Sequence, residues 1–530
     1  MFITKTYKDV RLVGAPPSSI GKYGGDTDNW MWPRHTGDFS MFRVYGDENG
    51  EPAEYSKNNI PLHTEAHLPI SLDGIEKGDF AMILGYPGGT DRYMTSFGID
   101  HNLKHVYPYR IKIRRAKLDI LKEDMNADPA VRIQYSSKYA RIANYWKNFI
   151  GMSKGLKRLK VPDKKRDLEK EVQSWINQFP SRKEKYGDAL SNIEKAYQTI
   201  EKYASSRYYF IEGVYSGPEV LLHSLKYQQL IELLEADEPN QERIDATIVA
   251  LKNEAESFYK DFNLETDKKL WAKMMMMYKD GVPAEHQPEM FLNNTKKFED
   301  FEDWQKMADK VYKKSIFASK EAVLDFLENP KAKTLKKDPV LEYMTAFYSK
   351  FRENNQKLEE ANILLEDGNR LFIDALRKAK EDKTFYPDAN FTLRLTYGKV
   401  LDYYPADAVH YNYYTTMEGI MEKEDPTSDE FVVPKGLKQI YKNKNYGPYA
   451  EEDYMPVCFL TDNDITGGNS GSPVINGDGQ LIGLAFDGNW EAMSGDILFE
   501  PELQRTINVD IRYVLLIVDK YAALKILSKK

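Results

Sequence analysis

The sequence is short of the groups that would staple a small extracellular domain or anchor it in lipid. It has a single cysteine in 530 residues, Cys458, so it forms no internal disulfide and no thiolate metal cluster. The longest apolar run, "YVLLIV" (513–518), is far too short to span a bilayer, and the opening "MFITKTYKDVRLVG" has no apolar stretch of signal-peptide length. Positive charge is not in excess either: the formal net charge is -8, which excludes a global attraction to nucleic acid. The strongest basic runs, "RIKIRR" (110–115) and "KGLKRLKVPDKKR" (154–166), alternate with apolar residues at helical spacing and read as solvated helix faces. Internal repeats and low-complexity tracts are missing as well.

What remains is an ordinary globular composition, 42% hydrophobic, in a chain too long for one compact core, so at least two domains are expected. Residues 1–101 read as β, with short apolar or alternating runs such as "DFSMFRVYG" (38–46) and "GDFAMILGYPGG" (78–89) ended by glycine turns. From 102 to 386 the chain is Lys/Glu-rich and helical: Ile244, Ile248, Leu251, Ala255 and Phe258 draw one apolar stripe. The run "KMMMMYKDG" (273–281) reads as adaptable core filler. Strands resume in 387–530, where Phe391, Leu393, Leu395 and Tyr397 alternate with polar residues as in a half-buried strand. This order predicts an α+β multidomain protein, a β domain interrupted by a large all-α insertion.

One stretch carries chemistry. "DITGGNSGSPVING" (464–477) sets Ser470 among glycines just before an apolar strand. Acyl transfer needs a hydroxyl exposed on a tight turn beside amides that receive an oxyanion, and here Gly468 and Ser470 could supply them. A Gly/Asn/Ser loop joining two strands explains the same letters.

The stretch resembles the nucleophile segment of serine peptidases of the chymotrypsin clan. Such a site needs a buried carboxylate that opens a strand, and "GDFSMFRV" (37–44) selects Asp38. Together with "GGDTDNWMWPRHTGDFSMFRVYGDENG" (24–50), "KYARIANYWKN" (138–148) and "GLAFDGNWEAMSGDI" (483–497), it resembles the bacterial family that includes dipeptidyl-peptidases 7 and 11, serine peptidases of family 46. That resemblance implies a chymotrypsin-like double β-barrel with a helical domain inserted: an incomplete first barrel in 1–101, the insertion in 102–386, and a second barrel carrying the nucleophile in 387–530. It also implies that Asn29, Trp30, Asn144 and Asp487 hold the substrate's N-terminal ammonium. The helical insertion, through Asn144, would close the cleft to longer chains. Gly488, where acid-selective members carry Arg, implies a hydrophobic penultimate (P1) residue and places the chain nearer dipeptidyl-peptidase 7. A buried cation needs a carboxylate and carbonyl acceptors, and Asp487 with the two Asn side chains provides both.

The base is where the pattern breaks. In this clan a His precedes the Asp, within a Thr-Asn-His-His stretch in this family, and no such stretch occurs here. His35 lies too close to Asp38 in sequence to take that role. His63, His67, His223, His286 and His410 have no matching context, and "HNLKH" (101–105) is an i, i+4 pair without an evident third ligand, read as surface. The expectation is a chain begun at an internal Met, its signal peptide and catalytic His lying upstream, from a protein of the periplasm or surface of a Gram-negative bacterium. The function expected is release of N-terminal dipeptides from oligopeptides with a free amine, by a homodimer without metal or organic cofactor. As written, the chain is inactive on this reading. The alternative is a peptide-binding pseudoenzyme.

Overall fold

The computed structural model describes residues 4–522; residues 1–3 and 523–530, the ends of the two β segments, lie outside the described residues. It is an α+β protein in two compact units, Met1–Tyr93 with Tyr386–Lys530, and Met94–Phe385. No helix among the described residues is long and apolar enough to cross a membrane.

Among the described residues, the first unit holds three antiparallel sheets. β1 (Asp9–Gly14), β2 (Met41–Gly46) and β3 (Ile60–Pro61) pair in that order. A seven-stranded sheet has the order β5-β4-β10-β11-β12-β9-β8, built from β4 (Phe80–Gly85), β5 (Arg394–Lys399), β8 (Tyr414–Thr416), β9 (Pro456–Thr461), β10 (Ser472–Ile475), β11 (Leu481–Gly488) and β12 (Thr506–Asp510). β6 (Tyr403–Ala406) and β7 (Val409–Tyr411) form a small third sheet. Because β4 pairs with β5 and β10, the chain before the helical segment and the chain after it share one sheet.

β9 and β12 are buried at every residue, as central strands covered on both faces are. β5 has the alternation expected from its sequence, but with the faces exchanged. Leu395 and Tyr397 point to solvent, whereas Arg394 and Thr396 are half-buried. The inward face is claimed by polar contacts: Thr396 Oγ1 accepts from Asp464 N, and Arg394 Nη2 donates to the Asp388 carbonyl.

The second unit is helical throughout its regular structure. Several of its helices start where a side chain satisfies a free amide: Asn240 Oδ1 accepts from Arg243 N at 3.0 Å, and Asp128 Oδ1 accepts from Ala130 N at 2.7 Å. In Gln241–Lys260, Ile244, Leu251 and Ala255 are buried on one stripe. In Leu264–Gly281, Met274, Met275 and Met277 are buried beside Trp271 in the core, the filler role read from their sequence. His101 departs from expectation: it is only 5% exposed, its ring packed near those of Tyr197 and Tyr208.

Candidate active site

Ser470 sits on the turn between β9 and β10, exposed to solvent. The turn is anchored before it reaches the serine. Arg92 forms a two-pronged ion pair with Asp464, at 2.9 and 2.8 Å, a geometry that fixes direction as well as charge. Asn463 Nδ2 donates to the carbonyls of Ala81 and Thr396, and Asn469 closes the turn by accepting from Thr466 N through Oδ1 while its own N–H returns to the Thr466 carbonyl.

Gly468 has φ +109, and a Cβ there would lie 2.4 Å from the Tyr86 carbonyl oxygen, so no other residue fits without moving that backbone. Among the described residues the amides of Gly468 and Ser470 donate to no protein acceptor, which leaves both able to receive an anion. The Ser470 hydroxyl donates weakly to the Phe486 carbonyl at 3.4 Å. This bond, with the pairing of Ser472 to Ala485, sets the serine beside the end of β11 that carries Asp487 and Gly488.

Asp487 is the centre of a dense polar cluster. Its Oδ2 accepts from Trp30 N at 3.0 Å and from Arg34 Nη1 at 2.7 Å; its Oδ1 accepts from Gly488 N at 2.9 Å. The side chains of Arg34 and Asp487 are each 9% exposed, so this is a buried pair. Arg34 also donates to the Asp28 carbonyl, and its guanidinium lies 5.2 Å from the Phe486 ring centroid. A carboxylate offers about four acceptor positions, and three are used here, which leaves one for an ammonium hydrogen. Trp30 adopts φ +63, a left-handed conformation that is rare for a bulky side chain and that costs free energy unless its surroundings hold it. A Cβ on Gly488 would touch Ala492 at 3.2 Å and the Trp30 ring at 3.6 Å, so the wall beside Asp487 is apolar and close.

Asp38 differs from the buried carboxylate expected. It lies three residues ahead of β2, at the centre of a tight turn in which Phe39 N donates to the Gly37 carbonyl, and it is exposed. Loss of water around it raises its pKa from the ordinary carboxylate value, Arg34 opposes that rise, and Asp487 adds to it. With the carboxylate open to solvent, the rise is small in consequence. No hydrogen bond joins Asp38 to a histidine or to Ser470 among the described residues. His35 is buried with its ring against Gly419, and burial, helped by Lys423, pushes its pKa down to about 3, so it stays neutral.

The structure thus brings Ser470, Gly468, Asp487, Gly488, Trp30 and Asp38 to one region of the first unit, with Asn29 next to Trp30 in the same half-buried loop. Asn144 belongs to the helical unit, half-buried in the helix Pro129–Arg158. Sequence reasoning missed Arg34. The signal was there in "WPRHTGDF", a cation in a loop otherwise read for its Asn, Trp and Asp.

The peptidase S46 family model matches residues 1–529. The chain is 44% identical to dipeptidyl-peptidase 7 of Porphyromonas endodontalis, over 100% of this chain and 63% of that protein. It is 45% identical to dipeptidyl-peptidase 7 of Porphyromonas gingivalis, over 98% and 72%. An Asp/Glu-specific dipeptidyl-peptidase of Flavobacterium psychrophilum is 42% identical, over 99% and 73%. The crystal structure of Porphyromonas endodontalis DPP11 in complex with the dipeptide Arg-Glu superposes with a TM-score of 0.88 at 37% identity, over 98% of this chain and 74% of that one. The chain therefore spans between 63% and 73% of the length of these curated relatives.

Proposed function

The chain belongs to the peptidase S46 family, and on that premise we propose that it carries the serine, oxyanion and amine-binding parts of a dipeptidyl peptidase that removes N-terminal dipeptides with an apolar penultimate residue. In this reading the Ser470 oxygen attacks the carbonyl carbon of the second residue and the amides of Gly468 and Ser470 receive the oxyanion. Asp487 takes the substrate ammonium in its remaining acceptor position, assisted by the side-chain carbonyls of Asn29 and Asn144, while Trp30 walls the subsite. An acidic P1 side chain would meet Ala492, the Trp30 ring and the Arg505 carbonyl oxygen around Gly488, none of them a cation, so Asp or Glu would enter without a partner. The architecture proposed is the chymotrypsin-like double barrel split by the helical insertion, supported by the pairing of β4 with β5 across that insertion. A homodimer acting in the periplasm or at the surface of a Gram-negative bacterium completes the reading.

The observation that carries the proposal is the placement of Ser470 next to Asp487, with two free amides on the serine turn. A second reading, a peptide-binding protein without turnover, is favoured by one fact: no described histidine hydrogen-bonds to Ser470 or Asp38. The two separate in a labelling experiment with a fluorophosphonate, which bonds phosphorus to the serine oxygen with loss of fluoride. The peptidase reading expects slow labelling of Ser470 that exogenous imidazole accelerates by supplying a base, and none in Ser470→Ala. Labelling that imidazole does not change, or that persists in Ser470→Ala, would remove Ser470 from the role of nucleophile.

A further inference from the structure

We propose that His101, His105 and Glu201 in the helical unit form a binding site for a divalent transition metal of the zinc class. His101 closes the helix Ser96–His101, and His105 lies in the π turn Asn102–Val106 that continues it. Their ring centroids are 5.5 Å apart. Glu201 comes from a different helix, Ala189–Tyr209, and its Oε1 lies 3.8 Å from His105 Nε2. One ligand atom from each residue lies within 4.8 Å of the other two. Ligand atoms bound to tetrahedral zinc at 2.0–2.1 Å stand about 3.3 Å apart, so small side-chain rotations close the set.

The environment of His101 makes the case. It is 5% exposed, and its Nδ1 is buried without a hydrogen-bond partner. Buried polar nitrogens normally have one, and an imidazole nitrogen without one calls for a partner such as a bound ion or water. His223, the other buried histidine of this unit, has a carboxylate at hand, its Nδ1 lying 2.8 Å from Glu254 Oε2, but its Nε2 is likewise buried without a hydrogen bond, so it is the convergence of His105 and Glu201 on His101 that sets His101 apart. Two imidazoles and one carboxylate are a donor set suited to zinc, where hard cations would prefer more oxygens. The aromatic rings of Tyr197, Tyr208 and Tyr109 pack near the two histidines and limit their rotation. The side chains of His105 and Glu201 remain partly exposed, at 24% and 35%, which gives the ion an entry path and a fourth position for water. π turns are concentrated at functional sites because they re-aim side chains, and this one sets His105. Binding would clip the start of the insertion to the helix Ala189–Tyr209 and stabilise the folded unit by mass action.

The test is titration of the full chain with Zn²⁺ by calorimetry, and with Co²⁺ followed through its visible absorption. Two variants at partly exposed positions, His105→Ala and Glu201→Gln, keep the buried His101 in place. The expected result is one strong site per chain with the absorption of a four-coordinate ion, weakened at least about 10-fold in each variant, since even outer partners of metal ligands are worth that much. Melting temperatures without metal should match across the three proteins, and at equal Zn²⁺ that of the unmodified chain should rise the most. Absence of binding, or affinity unchanged in both variants, would overturn the site; loss in one variant alone would overturn the three-ligand assignment.

Discussion

β9 and β12 are buried along their whole length, whereas β5 in the same sheet and β1 and β2 in the neighbouring one turn Tyr397, Leu12 and Phe42 to solvent at 72%, 62% and 60% exposure. All are strands by pairing, and all carry β-forming residues. The difference lies in what covers them, which is supplied by other elements and not by the strand itself. It bears directly on the site. Ser470 and Asp487 hang from the covered part of the sheet, through the β9–β10 turn and β11. Asp38 precedes β2, whose outward apolar residue has no cover among the described residues, and it is the one site carboxylate that stands in solvent. Ser470 and Asp487 are thus carried by the covered strands, and Asp38 is not.

The contrast can be broken or sharpened by substitution. Phe459, fully buried in β9, should cost about 3–5 kcal/mol on change to Ala, read from the midpoint of urea unfolding. A loss under 1 kcal/mol, on the order of a surface change, would mean that the sheet's centre is not the stable part. Arg34→Ala leaves Asp487 buried beside Trp30 without its cation and should cost about 3 kcal/mol in the same measurement. It should also weaken peptide binding, because the carboxylate loses the group that orients it. Arg34→Lys, which keeps the charge but not the paired donors to Asp487 and the Asp28 carbonyl, should fall between the two.

Next comes a pH effect. Asp496 is half-buried below the serine turn, and burial first, with Asp464 and Asp91 adding, raises its pKa from 3.8 to about 6 against the pull of Thr466 and Arg92. A carboxyl with a raised folded pKa binds its proton more tightly in the native state. Its contribution therefore favours folding when protonated and is lost as pH rises from about 4 to about 6. Asp496→Asn should remove its share of the slope, an effect on the order of 1–2 kcal/mol after allowance for its partial exposure, seen as melting curves that diverge less across that window. An unchanged slope would place the titration elsewhere. The smallest effect belongs to Phe42→Ala and Tyr397→Ala, each within about 0.5 kcal/mol of the parent. A cost comparable to that of Phe459→Ala would show that those faces are covered after all.

How far the sequence reached follows the same line. The helical stripe at Ile244, Leu251 and Ala255 and the methionine run were legible because a helix in a bundle buries the stripe its own spacing creates. The strands "MFRVYG", "FAMILG" and "RLTYGK" were legible as strands. Which face of β5 turns inward was not, because Asp464, 68 positions away, holds Thr396 on the inner side, and Arg394 folds back on the Asp388 carbonyl. At the site, the glycine requirement at Gly468 was readable from the tight turn. The pairing of Asp487 with Arg34 was not, since the partners lie 453 positions apart and no local spacing joins them. Glu201 escaped for the same reason: an i, i+4 histidine pair announces itself, whereas its third partner comes from another helix.

The claim on which the rest depends is that Asp487 still has one acceptor position for an N-terminal ammonium next to Ser470. Calorimetric binding of a dipeptide with an apolar second residue, compared with its N-acetylated form, tests it on the chain as it stands. The free amine should bind at least about 10-fold more tightly, a difference of about 1.4 kcal/mol, and Asp487→Asn should erase the preference. Equal binding of the two peptides by the parent chain would mean that Arg34 already satisfies the carboxylate and that no amine clamp exists.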